Sequence, residues 1–144
     1  MKKIVKRSMA FAAITICAFA CKPSDKLNQV VGLSKSTLED TRWVLEELNN
    51  QPVSTQNQPF LVFASKSMVL SGFGGCNQLA GSYETARLKL KCNNVVATRM
   101  YCDVGQLEND FLTLLQKVNR YHIEGDTLSL YEDAVLLGRL KAQR

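Results

Sequence analysis

The side chains able to do chemistry in this chain are few, and their spacing decides what they can do. His122 is the only histidine. It has no histidine partner for a zinc site and falls in a predicted strand away from any candidate nucleophile, so it reads as an ordinary strand histidine. Cys76, Cys92 and Cys102 are separated by 15 and 9 residues, without the Cys-x-x-Cys pair of a zinc knuckle or a thioredoxin-like redox site. The run Ser71-Gly72-Phe73-Gly74-Gly75-Cys76-Asn77 is rich in glycine, yet it lacks the Gly-Lys-Ser/Thr and following helix of a phosphate loop. It reads as a tight turn or bulge where the backbone takes positive φ or approaches a second strand closely. The acid pairs Glu46-Glu47 and Glu132-Asp133 are adjacent along the chain, so their side chains diverge and are expected in solvent. The expectation is a protein with no catalytic residue, no metal site and no cofactor.

The first twenty residues carry Lys2, Lys3, Lys6 and Arg7, then an apolar stretch over residues 9–20, and no acid. This is signal-peptide architecture, too short to span a bilayer. The stretch ends in Ala18-Phe19-Ala20-Cys21, which resembles the lipobox cut by lipoprotein signal peptidase. Cys21 is therefore the expected lipidation site, with more than one acyl chain for stable anchoring. Cys17 is the rival, but the bulky Ile16 precedes it, and Phe19 is itself a departure from the commonest pattern. Lys22 instead of Asp after the cysteine points to the outer membrane under enteric sorting rules. Of the formal +5 charge, four basic residues lie in the signal peptide, leaving fourteen basic residues against thirteen acids in the mature chain, a formal +1. Those fourteen are scattered among the acids, so no nucleic-acid partner is implied. Export places the mature protein in an oxidising compartment where cysteines pair. Three cysteines leave one over, and spacing alone leaves the pairing open.

The elements that must position these groups follow from periodicity. Residues 22–37 have linker composition and read as a tether continuing from Cys21. From Trp43 onward, short apolar runs alternate with turn signals. Strands are predicted over residues 43–48, 60–64, 68–71, 79–84, 88–91, 95–99, 121–124, 127–131 and 135–140. Gly125-Asp126 and Glu132-Asp133 supply the last two hairpin turns. Leu107, Phe111, Leu114, Leu115 and Val118 recur at helical spacing on one face, and Asp103 with Gln106 three residues later makes a capping-box-like start. The sum is one α+β domain in which a single amphipathic helix covers an opening of a curved, mainly antiparallel sheet.

The pattern as a whole resembles the META domain family. The matching pieces are Thr41-Arg42-Trp43-Val44-Leu45, the Ser71 to Asn77 run, Gly81-Ser82-Tyr83, Ala97-Thr98-Arg99-Met100-Tyr101-Cys102, the helix from Glu108 to Leu115, and Gly125-Asp126-Thr127-Leu128-Ser129-Leu130. Together they place the domain at residues 38–141, after a signal peptide at 1–20 and a tether at 21–37. The resemblance implies a mainly antiparallel, partly open β-barrel or curved meander with one helix, and it carries over no catalytic residue. It also frames a Cys76–Cys102 disulfide; Cys92 departs from the family pattern and is expected to stay reduced, packed as a small hydrophobe. Members of the family are associated with heat response, envelope or drug stress (notably novobiocin) and, in some parasites, virulence.

The function expected on these grounds is that of a non-catalytic, monomeric envelope lipoprotein. It is held in the membrane through Cys21, faces the periplasm, and contributes to stress tolerance by binding an envelope protein or component. The rival is a carrier holding an apolar ligand between sheet and helix. A thiol-active enzyme using Cys76 or Cys102 is the third reading, and no base or orienting group is placed for it.

Overall fold

A computed structural model describes residues 36–102 and 106–144. The signal peptide, Cys17, Cys21, most of the tether and Asp103 lie outside the described residues.

Alternating burial builds the sheet. In β1 (Arg42–Leu48), Trp43, Leu45 and Leu48 face inward, and in β3 (Phe60–Ala64) Leu61 and Phe63 do. The same alternation runs through β4 (Val69–Phe73), β5 (Gln78–Ala86), β7 (Arg120–Glu124) and β9 (Val135–Gln143). A two-residue strand β2 (Gln51–Pro52) folds back on β1. It follows a turn in which Asn49 and Asn50 both take positive φ, 50° and 63°, as a tight hairpin requires. This segment, outside the predicted strands, thus adds an edge pair to the sheet.

All strand pairs are antiparallel, in the order β2-β1-β3-β4-β5-β6-β7-β8-β9, with β6 (Lys89–Ala97) and β8 (Thr127–Glu132) completing the set. Strand β9 also pairs with β1, from Arg42↔Gln143 to Leu48↔Gly138, so the sheet curves into a ring. The thinnest junction is β6 to β7, where Lys89↔Arg120 is the one register pair. Residues expected as two strands, 88–91 and 95–99, form the single β6. The predicted break between them is a bulge: Asn94 takes φ 51° and the β5–β6 register shifts opposite it.

The helix α1 (Leu107–Lys117) lies between β6 and β7 in sequence. It starts later than the expected capping box, because Gln106 occupies the N-cap and makes no side-chain cap. Glu108 and Asp110 in its first turn and Lys117 in its last suit the helix dipole. Phe111, Leu114 and Leu115 face the ring interior, where they join Trp43, Phe63, Leu70, Tyr83, Leu90, Leu128 and Leu140 in one core. Trp43 donates Nε1–H to the Leu38 carbonyl at 2.9 Å, and Tyr83 donates its hydroxyl to Glu39 at 2.8 Å. Each large ring therefore buries its apolar body and still satisfies its polar tip. Burial first, and the Glu39 carboxylate second, raise the Tyr83 hydroxyl well above its ordinary pKa. Ser36, expected in the tether, is packed against the domain and donates Oγ–H to Asp126 at 2.8 Å.

Candidate functional site

The most concentrated group of polar side chains sits where the glycine-rich turn between β4 and β5 meets the start of α1. Gly75 takes φ 108°, which strains any residue with a Cβ. At Gly74 a Cβ would stand 2.7 Å from both Cγ and Oε2 of Glu108, so the missing side chain is the space the carboxylate occupies. Glu108 Oε2 accepts the backbone N–H of Asn77 at 2.6 Å and of Cys76 at 3.2 Å. Its Oε1 accepts the Asn77 amide at 2.7 Å.

Asn77, 6% exposed, uses its whole side chain. Besides the bond to Glu108, its Nδ2 donates to the Met100 carbonyl at 3.2 Å. Its Oδ1 accepts the Met100 N–H at 2.6 Å and the Thr98 hydroxyl at 2.9 Å. The Cys76–Cys102 disulfide, with Cα atoms 5.8 Å apart, closes the same loop. The arrangement is a latch that ties the turn, the helix start and the segment following β6 together. It leaves Asn77 no free donor or acceptor for a substrate, and among the described residues no buried side-chain polar atom lacks a partner.

The remaining chemistry-bearing residues are dispersed. His122 is exposed on β7, opposite Ser129, and lines a surface cleft of about 540 Å³ with Leu38, Leu88 and Tyr121. Cys92 keeps a free thiol opposite Tyr83, and burial pushes that thiol up to about 12. A thiol enzyme needs an accessible thiolate; its two candidates, Cys76 and Cys102, are joined in a disulfide, and the remaining thiol, Cys92, is held protonated. Of the acid pairs, Glu47 meets Arg139 at the surface, and Asp133 accepts the Asn119 amide at 2.8 Å. The space between sheet and helix that a carrier would use is filled by Phe111, Leu114 and Leu115. The grooves are open ones on the outside. One of about 490 Å³ lies between the β1–β2 turn and Leu107, and another of about 580 Å³ between the β5–β6 hairpin and the end of α1.

The META domain matches residues 36–143, three quarters of the chain, covering the ring, the latch and the helix. The chain belongs to the META domain family. Among its relatives is the heat shock protein HslJ of Escherichia coli (strain K12), 25% identical over 129 residues that span 88% of this chain and 89% of HslJ. Two solved structures share the META-like fold. One NMR structure is 27% identical with a TM-score of 0.57, covering 75% of this chain and 94% of its own. The other, of a protein from Burkholderia xenovorans, is 23% identical with a TM-score of 0.61, covering 85% of this chain and 99% of its own. Family membership supports a stress-related, non-catalytic role at the family level. Sequence reasoning placed Asn77 and Glu108 in separate matching segments but missed that the Glu108 carboxylate binds Asn77 and the Cys76 N–H. The available signal was an acid in the first turn of the helix after a glycine-rich turn with no anion to bind.

Proposed function

We propose that this META domain protein is a non-catalytic envelope lipoprotein, anchored through Cys21 in the outer membrane and facing the periplasm. In this reading it supports tolerance of heat and of envelope-active drugs such as novobiocin by binding a partner protein or envelope component. The observation that carries the non-catalytic reading is the latch. The side chains of Asn77, Thr98 and Glu108 and the Cys76–Cys102 pair are consumed in holding backbone to backbone. A fold whose polar residues serve its own shape acts through its surface. The relative HslJ, a heat shock protein, supports the stress reading, and the Ala-Phe-Ala-Cys run at residues 18–21 supports the anchor.

The test is a deletion strain grown under heat and under novobiocin, complemented with the wild type, with Cys21→Ala and with His122→Ala at matched protein levels. Loss of tolerance on deletion, restored by wild type and His122→Ala, is expected, with Cys21→Ala leaving an unprocessed precursor. Unimpaired tolerance in the deletion strain overturns the stress role. Loss of rescue with His122→Ala restores a chemical reading, and normal maturation of Cys21→Ala overturns the anchor.

A further inference from the structure

Five basic residues gather around the β5–β6 hairpin tip and the thin β6–β7 junction. Arg87 and Lys89 flank the tip residue Leu88, Lys91 follows on β6, Lys117 ends the helix, and Arg120 opens β7 opposite Lys89. All five are exposed, and no ion pair among the described residues holds any of them. The neighbouring carboxylates, Glu84 opposite Lys91 and Asp133, accept the amides of Asn93 and Asn119 at 2.9 and 2.8 Å and keep their charge, so five cations stand against two acids. A mature chain that is close to neutral overall therefore carries a local excess of positive charge here.

Two further observations say what that charge faces. Leu88 is 51% exposed between two cations, and beside it the groove of about 580 Å³ has an apolar floor of Leu90 and Val118 with Lys89, Lys91 and Lys117 on its rim. An apolar residue raised among basic side chains is the arrangement that seats at a headgroup and acyl boundary. The chain also enters the domain at this edge, because Ser36, Thr37 and Leu38 line the same cleft as Leu88 and Tyr121. Cys21 lies only fifteen residues before Ser36, so an acylated Cys21 places a bilayer within reach of this edge.

We infer that the edge formed by Arg87, Leu88, Lys89, Lys91, Lys117 and Arg120 is a docking surface for a membrane of anionic phospholipid. The cations meet headgroup phosphates, and Leu88 enters the boundary between headgroups and acyl chains. The inference goes beyond the stress reading and takes from it only the anchor at Cys21, so the test is made without acylation, where the docking and the anchor fail separately.

The mature chain, residues 21–144 with Cys21→Ser, contains the whole core from Leu38 to Leu140. It is floated with vesicles of phosphatidylcholine, alone or mixed with phosphatidylglycerol, across a range of salt. Binding to the anionic vesicles only, weakening with salt, is expected. Three lysine charges removed together (Lys89→Gln, Lys91→Gln, Lys117→Gln) should lower partitioning on the order of a hundredfold, because each cation near an anionic surface contributes about fivefold. Leu88→Ser should weaken binding without changing its salt dependence, while Lys66→Gln with Lys141→Gln, on other parts of the ring, should retain more of it than the triple variant. No binding, equal binding to both vesicle types, or undiminished binding by both the triple variant and Leu88→Ser overturns the inference. Displacement from vesicles by inorganic phosphate at unchanged ionic strength overturns it as well, since it assigns the lysines to a free anion.

Discussion

Removing the Asn77 side chain is the sharpest test of the latch. Asn77→Ala deletes four hydrogen bonds at once, those to Glu108 Oε1, Thr98 and both backbone groups of Met100. The bond to a carboxylate is worth about 1.5 to 3 kcal/mol and each neutral one about 0.5 to 1.5. The simple sum overstates the loss, because Met100 is 64% exposed and water can replace its partner. The half-buried Glu108 oxygen has less access to water. A destabilisation of about 3 kcal/mol follows, on the order of 10 °C in Tm for a domain of this size. Urea unfolding of residues 21–144 carrying Cys21→Ser, followed by the fluorescence of the single tryptophan, Trp43, reads it directly. A double-mutant cycle with Glu108→Ala should give a coupling of about 1 to 2 kcal/mol. A loss below about 1 kcal/mol for Asn77→Ala, or additivity within about 0.4 kcal/mol in the cycle, would falsify the claim that this pair holds the helix to the turn.

Two further outcomes concern pH. The Ser65 hydroxyl first, and the Ser65 backbone N–H second, hold the Asp40 carboxyl below its ordinary value. Asp40 therefore contributes stability above the unfolded carboxylate range and loses it as pH falls through the lowered folded value, so the difference between wild type and Asp40→Asn should vanish in acid; a difference that grows in acid refutes the assignment. For Cys92, burial raises the folded thiol from 9.0 to about 12, so its stabilisation is complete below the lower value and declines as pH rises between the two. Cys92→Ala should flatten that alkaline decline, and the native oxidised protein should resist iodoacetamide at pH 8 yet expose one thiol on unfolding; rapid native labelling would refute the burial.

What the sequence revealed follows the range of each interaction. The half-buried strands β1, β3 and β8 were legible because alternation is local: Leu128 and Leu130 take core positions two residues apart. The helix was legible because Phe111, Leu114 and Leu115 recur at its period. The β1–β9 closure was not, since pairing Trp43 with Ala142 depends on the curvature of every strand between them. The continuity of β6 was not legible, because Asn94 takes positive φ as a turn residue also would, and only the register of β5 shows a bulge. At the candidate site, the glycine run was correctly read as conformational, but its reason is the Glu108 carboxylate standing where a Gly74 side chain would be. That contact joins residues 34 apart in sequence, a separation no local pattern reports.

The position of the helix explains why the latch takes such residues. A ring whose β6–β7 junction holds by the single pair Lys89↔Arg120 leaves most of β6 without a strand neighbour on that side. The α1 helix packs against β6 there and plugs the interior with Phe111, Leu114 and Leu115. A helix of eleven residues is marginal on its own and depends on tertiary contacts at both ends. At its C-terminal end, Val118 is buried and Leu90 N–H bonds to the Asn119 carbonyl, tying the chain back to β6. At its N-terminal end Gln106 provides no side-chain cap, and the tie is instead the carboxylate of Glu108 on the β4–β5 turn, backed by Asn77 and the Cys76–Cys102 bond. The residues that make this chain recognisable thus complete a ring that its strands alone leave thin. Exposed positions such as Leu88, Lys91 and Lys117 lie outside the latch and the core, and substitutions there leave the ring closed.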